Sequence, residues 1–174
     1  SYSTNSDLRL YAQWTSIIYT ITYDANGGDG APETQEKSPS VSTILLSRAI
    51  PTRDGYNFVC WNTRADGSGT NWYPGDQYNG GSYEGKRGLY LYAQWEAKTY
   101  TITYNANGGT GAPASQTKTH GQSINLSSSK PTRTGYNFVC WNTKADGNGV
   151  NWYPGESYSS NGNLNLYAQW EAAT

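Results

Sequence analysis

The sequence predicts a mainly β protein made of two small repeats in tandem, with little or no helix. The pentapeptide Leu-Tyr-Ala-Gln-Trp occurs three times, at Leu10–Trp14, Leu91–Trp95 and Leu166–Trp170. Longer blocks also return: Tyr19–Tyr23 with Ala25–Gly28 reappears as Tyr100–Tyr104 with Ala106–Gly109, and Pro51–Asn62 as Pro131–Asn142 with only Asp54 changed, to Thr134. Self-similarity at a fixed period marks a modular array. Strand-like segments are punctuated by turn signals every ~8–15 residues, and no apolar period of 3.6 runs between two caps, so the repeating unit is β. The expected division is residues 1–14 as the closing strand of a preceding repeat (Ser1–Trp14 reads like Ser157–Trp170), a first repeat at 19–95, and a second at 100–170. Repeats of roughly 75–80 residues bury a thin core and need dense packing or help from neighbours. The chain's 16 Tyr and 7 Trp, with 2 Phe and no Met, supply large buried areas with polar handles.

In the first repeat Tyr19, Ile21 and Tyr23 alternate with Thr20 and Thr22, a period-two strand. Asn26-Gly27-Gly28 tolerates positive φ and predicts a turn of the hairpin kind. A polar stretch containing Pro32 follows, then a second strand over Val41–Leu46, matched by Gln122–Leu126. Pro51–Gly55 punctuates the chain before a strand at Tyr56–Trp61. Asp66–Thr70 is a glycine-rich loop leading into Asn71-Trp72-Tyr73-Pro74-Gly75, whose Pro-Gly marks another turn. Leu89, Leu91, Ala93 and Trp95 alternate with Tyr90, Tyr92 and Gln94 in the closing strand. Any helix is short, near Ser47–Ile50 or Ser127–Lys130.

These motifs, in the order Tyr-Thr-Ile-Thr-Tyr, Asn-Gly-Gly, Pro-Thr-Arg-x-Gly-Tyr-x-Phe, Trp-Asn-Thr, Ala-Asp-Gly-x-Gly and Leu-Tyr-Ala-Gln-Trp, resemble the Listeria–Bacteroides repeat, the family of the internalin B repeats. The resemblance covers both repeats and the N-terminal tail. It implies a compact β-grasp-like (ubiquitin-like) unit and residence in a long, modular, secreted or cell-surface bacterial protein. One departure stands out: the residue before the Trp, usually small and most often Gly, is Cys60 and Cys140 here, which implies altered packing around Trp61 and Trp141.

The formal net charge of −1, without a basic patch, argues against nucleic acid and anionic membrane surfaces. No apolar run approaches the roughly 20 residues that span a bilayer. The chain is expected to be a fragment, so the lack of a targeting signal says nothing. Cys60 and Cys140 occupy equivalent interior positions and are expected as small buried hydrophobes.

Little in the sequence fits catalysis. His120 has no counterpart in the first repeat and is expected as a solvated turn residue beside Gly121. Asp66 and Asp76 correspond to Asp146 and Glu156, a pairing that a glycosidase could use, but Asp in a glycine-rich loop more often bonds its own backbone. Asp66–Asn71 offers alternate oxygens as a calcium loop does, yet Asp146–Asn151 loses the Thr hydroxyl and no bidentate Glu follows. No catalytic residue, metal site or cofactor is therefore expected.

The candidate ligand-binding residues are Asn71, Trp72, Tyr73, Asn151, Trp152 and Tyr153. Neighbouring rings on a strand point to opposite faces, so one ring of each pair is expected in solvent, where it could stack on a sugar. The expected function is a non-catalytic spacer, stalk or adhesion module of a secreted or cell-surface bacterial protein; the alternative is a carbohydrate-binding module. Expected partners are neighbouring repeats and a host or cell-wall glycan or protein. Only Glu96–Thr99 separates the repeats, which predicts an end-to-end, elongated pair with limited hinge motion. Finally, Leu8, Leu10, Ala12 and Trp14 form an apolar face like that of Leu164, Leu166, Ala168 and Trp170. Leaving such side chains wet costs roughly 2 kcal/mol each. Trp14 is therefore expected to be substantially buried, with Leu8–Gln13 paired to a sheet edge of a neighbour or another molecule, or built into the first repeat.

Overall fold

The computed structural model describes residues 9–83 and 85–174. The chain divides into two compact units, one of Ser1–Pro51 and Cys60–Gln94, the other of Thr52–Val59 and Trp95–Thr174. The boundary is out of step with the sequence repeats: the Thr52–Val59 segment of the first repeat clusters with unit 2. Among the described residues all regular structure is β, as the sequence predicts, and Ser47–Ile50 and Ser127–Lys130 carry no helix.

The strands of the first repeat are β1 (Tyr19–Asp24), β2 (Gln35–Lys37), β3 (Ile44–Leu45), β4 (Tyr56–Asn62), β5 (Asn71–Trp72), β6 (Gln77–Tyr78), β7 (Ser82–Tyr83) and β8 (Lys86–Ala97). Those of the second are β9 (Thr99–Asn105), β10 (Gln116–Thr119), β11 (Ile124–Asn125), β12 (Tyr136–Asn142), β13 (Asn151–Trp152), β14 (Ser157–Tyr158) and β15 (Leu164–Ala172). The main sheets run β2-β1-β8-β4-β5 and β10-β9-β15-β12-β13, and small ladders pair β3 with β6 and β11 with β14. The closing strand thus lies at the centre of each sheet, parallel to the opening strand: Ile21 faces Leu89, and Ile102 faces Leu164.

The turn expected at Asn26-Gly27-Gly28 is present, but it opens a wide connection to the antiparallel β2 and not a tight hairpin. The local turn forms as its residues demand, with φ of 48° at Asn26 and 86° at Gly27, and the Gly28 N–H donating to Ala25 O at 3.0 Å. The chain then makes a wide loop before it folds back, and the Asn26 amide donates to Ala93 O and Ala65 O, both at 2.9 Å, tying the turn to the closing strand. The antiparallel partner of β1 is β2, inside the stretch expected to be irregular. Its inward residue is a lysine, which hides the period-two pattern. Lys37 lies over the Tyr19 ring, and Lys118, only 1% exposed, lies over Tyr100 while its Nζ donates to Asn161 Oδ1 at 3.1 Å. The aliphatic stem supplies the burial and the ring and amide accommodate the charge. The second strand expected at Val41–Leu46 and Gln122–Leu126 contracts to the two-residue β3 and β11.

Burial along β12 departs from strict alternation: Cys140, Trp141 and Asn142 are all buried. The register against β15 shifts between Phe138 and Cys140, a bulge that leaves Val139 exposed and turns the next residues inward. Trp141 is the centre of the second repeat's core, with Ile102, Leu126, Tyr158, Leu164, Leu166 and Ala168, and its ring meets Tyr104 edge-on at 5.0 Å. Ile21, Leu46, Trp61, Tyr78, Leu89, Leu91 and Ala93 are the buried equivalents in unit 1, where Tyr23 meets Trp61 at the same distance of 5.0 Å. Cys60 and Cys140 sit buried beside these rings as free thiols, as expected, and burial pushes both thiols up from their ordinary acidity. The thiolate is the reactive form. Ellman's reagent at neutral pH is therefore expected to leave both cysteines unmodified in the folded chain and to modify both at once in denaturant. Rapid labelling without denaturant would contradict their placement.

The expectation for the N-terminal strand is overturned. Residues 9–18 form no strand, and Trp14 is 90% exposed, with Leu10 and Tyr11 also in solvent. The equivalent residues Leu166–Trp170 are held between β9 and β12, and no such flanking strands accompany Leu10–Trp14 among the described residues. Leu8 and the residues before it lie outside the described part.

Candidate functional site

The expected ligand residues cluster where β4 ends and β5 begins, and the local fold is built around a buried asparagine. Asn62 is fully buried, and its amide donates to Asn71 Oδ1 at 2.6 Å and Gly67 O at 3.1 Å. Its Oδ1 accepts from the N–H groups of Arg64 (2.8 Å) and Gly69 (3.0 Å). The loop closes so tightly that a Cβ on Gly69 would lie 2.2 Å from Thr63 Oγ1. Asn142 repeats all four bonds with Asn151 Oδ1, Gly147 O and the N–H groups of Lys144 and Gly149. The Asn71 and Asn151 oxygens therefore serve the loop instead of facing a ligand.

The aromatic pairs split as a strand requires. Trp72 and Trp152 turn inward, half-buried, opposite Trp61 and Trp141 across the ladder and edge-on to Tyr78 and Tyr158. Tyr73 and Tyr153 point out, 53% and 56% exposed. Of the four aromatic candidates, these two tyrosines are the exposed ones.

The carboxylates are occupied locally. Asp66 Oδ1 accepts from the Ser68 N–H at 3.0 Å and the Ser68 hydroxyl at 2.7 Å; Asp146 accepts from the Asn148 N–H on Oδ1 at 3.0 Å and from the Asn148 side-chain amide on Oδ2 at 3.2 Å. Asp76 Oδ2 accepts from the Tyr73 N–H at 2.7 Å, and Glu156 Oε2 from the Tyr153 N–H at 2.8 Å, each closing the Tyr-Pro-Gly turn. The N–H and side-chain bonds from Ser68 and Asn148 hold the Asp66 and Asp146 carboxyls below their ordinary value. A carboxyl whose folded value is depressed stabilises its fold above the unfolded value, and this is lost as pH falls through the folded one. Acidification below about pH 4 is thus expected to lower the protection of the Ser68 and Asn148 amides relative to their intrinsic exchange rates, and Asp66→Asn should remove that change in protection at Ser68 alone. An Asp66→Asn chain whose Ser68 protection kept the wild-type pH profile would disprove this.

His120 departs from the expected solvated position. It lies in the turn Thr119–Gln122, half-buried, with Nδ1 3.0 Å from the Tyr100 hydroxyl and its ring edge-on to Tyr56 at 5.7 Å. Among the described residues no group of three or more His, Cys, Asp or Glu converges as a metal site.

A feature that the sequence did not single out is an open groove of about 900 Å³ in unit 2, lined by Gly108–Thr110, Lys130–Thr134, Tyr136–Phe138 and Trp170. Arg133 stacks over Tyr136 at 3.9 Å along it. The signal was the near-invariant Pro-Thr-Arg-x-Gly-Tyr block, which reads as punctuation until Arg and Tyr are seen to face each other.

Comparison with known proteins agrees with this architecture. The model of the Listeria–Bacteroides repeat domain matches residues 19–94 and again 100–169. Among relatives, a protein of Evansella cellulosilytica named as a Gly-rich membrane protein is 31% identical over 95% of this chain and 18% of its own length. A second Evansella cellulosilytica protein, named as a membrane protein, is 28% identical over 95% of this chain and 24% of its own. Internalin H of Listeria monocytogenes is 27% identical over 87% of this chain and 25% of its own. The chain thus spans a quarter or less of the length of these relatives. No helix among the described residues is long and apolar enough to cross a membrane. With both repeats matched end to end by one family model, the chain belongs to the Listeria–Bacteroides repeat family.

Proposed function

We propose that this chain is a non-catalytic repeat module of a bacterial surface protein, serving as a spacer, stalk or adhesion segment. The observation that carries the reading is the duplicated polar network: Asp66, Asp76 and Asn62, like Asp146, Glu156 and Asn142, satisfy backbone groups of their own loops. Groups committed to holding turns in two copies fit a scaffold repeated for length. Relatives named as membrane proteins and as an internalin support a place at the cell envelope. Incubating the chain with cell-wall and host polysaccharides and following reducing-end release tests it. No release is expected, and release that disappears in Asp66→Asn/Asp146→Asn would overturn it.

A second reading is favoured by one observation, the exposed faces of Tyr73 and Tyr153. Each could stack on a sugar ring, and two weak contacts in one chain reinforce each other through effective concentration. A glycan array probed with the chain and with Tyr73→Ala/Tyr153→Ala decides it: binding lost in the variant supports carbohydrate recognition, and binding unaffected by it removes this site.

A further inference from the structure

Unit 2 contains the same surface twice, once covered and once bare. In Thr52–Val59 the Tyr56 N–H donates to Arg53 O at 3.1 Å, Arg53 lies over the Tyr56 ring at 4.1 Å, and Gly55 O accepts from the Lys98 N–H at 2.9 Å. In the second repeat the Tyr136 N–H donates to Arg133 O at 3.1 Å, Arg133 lies over Tyr136 at 3.9 Å, and Gly135 O accepts from the Ala173 N–H at 2.9 Å. Gly55 and Gly135 adopt φ of 75° and 77°. The two surfaces match in backbone, stacking and hydrogen bonding.

Their surroundings differ. His120 occupies the first: a Cβ on Gly55 would meet its imidazole at 2.0–2.2 Å, its ring is edge-on to Tyr56, and its N–H donates to Lys98 O at 2.8 Å. At Gly135 no described residue lies within 4 Å of the same point, and Tyr136 is 41% exposed at the groove that Trp170 also lines. Ala173 O takes the place that Lys98 O has in the covered copy.

We propose that the Arg133–Tyr136 surface is a receptor for the β-turn of a further copy of this repeat, one carrying a His-Gly turn like Thr119–Gln122. The turn at the equivalent position of the first repeat, Ser38–Val41, is a poorer donor: Pro39 stands where His120 does and has no N–H to give to a backbone carbonyl. The contact joins unlike surfaces, so each copy can offer its turn to the preceding copy and its Arg–Tyr surface to the next. Glu171-Ala172-Ala173-Thr174 matches Glu96-Ala97-Lys98-Thr99, so a copy placed directly after Thr174 enters with the spacing that brings His120 onto Gly55. The proposal is independent of whether the module binds glycan.

The test extends the full chain by a second copy of Tyr100–Thr174 placed after Thr174. In amide-resolved NMR, Gly55 reports the existing contact and serves as an internal reference. The Gly135 Hα signals are expected to move upfield toward those of Gly55, from the imidazole ring current, and Gly135–Asn137 to gain protection from exchange. Replacing the histidine of the added copy by Ser should reverse both effects and leave Gly55 unchanged. A third copy that stays unfolded, or one that folds and leaves Gly135 as it was, overturns the proposal.

Discussion

Trp141→Ala is expected to abolish the cooperative folding of the second repeat. The indole is fully buried and meets Tyr104 at 5.0 Å and Phe138 at 5.2 Å, so the truncation leaves a cavity at the centre of the core. Such substitutions cost about 3–5 kcal/mol. Small domains hold only roughly 0.05–0.15 kcal/mol per residue in total, so the loss is comparable with all the stability available to one repeat. Urea denaturation followed by near-ultraviolet circular dichroism should lose one transition or shift it below measurable urea. Tyr153→Ala, on the exposed ring one residue beyond Trp152, should shift the midpoint by an amount equivalent to no more than about 0.5 kcal/mol. Equal effects of the two variants would contradict the assignment of core and surface.

The second large effect is expected at a polar residue. Asn142→Ala removes a buried side chain that serves four partners in its loop: Asn151 Oδ1, Gly147 O and the N–H groups of Lys144 and Gly149. Each net bond contributes about 1 kcal/mol, and stranded buried partners add to the loss, so a destabilisation of roughly 3 kcal/mol is expected. Asn142→Asp should cost as much despite its shape, since it turns the donating nitrogen into an oxygen facing Gly147 O and Asn151 Oδ1. A midpoint within 0.5 kcal/mol (about the noise of a surface change) of wild type for either variant would show that the loop is held by something else.

The contrast between these two residues explains how much could be read in advance. Trp141 and the alternating Leu164, Leu166 and Ala168 announce themselves through period two and size, so the β class, the closing strand and the repeats were legible. The central position of that strand was not, because its parallel pairing with β1 and β9 depends on where the chain goes after Asn26 and Asn107. The turns there are tied to the closing strand by single amides, Asn26 to Ala93 O and Asn107 to Ala168 O, that no pattern advertises. β2 and β10 were invisible because a buried Lys occupies the inward position. At the candidate site, chemistry was read from residue type, and residue type does not disclose prior engagement: Asn71 and Asn151 already serve Asn62 and Asn142, leaving only Tyr73 and Tyr153 to present themselves. The N-terminal expectation failed for the opposite reason. Leu10–Trp14 repeats the residues of its twins but forms no strand and so no apolar face: an apolar pattern specifies a need for cover, not its presence.

The proposed function requires that the polar residues of these loops hold the fold and do no chemistry. The most direct measurement records amide NMR spectra and product formation in one sample, with the chain held over several days in solubilised cell-wall polysaccharide. The account predicts an unchanged polysaccharide and unperturbed resonances for Asn62, Asp66, Asn142 and Asp146, with any binding shifts confined to the neighbourhood of Tyr73 and Tyr153. Newly formed reducing ends, accompanied by shifts at Asp66 and Asp146 and abolished by their replacement with Asn, would contradict it.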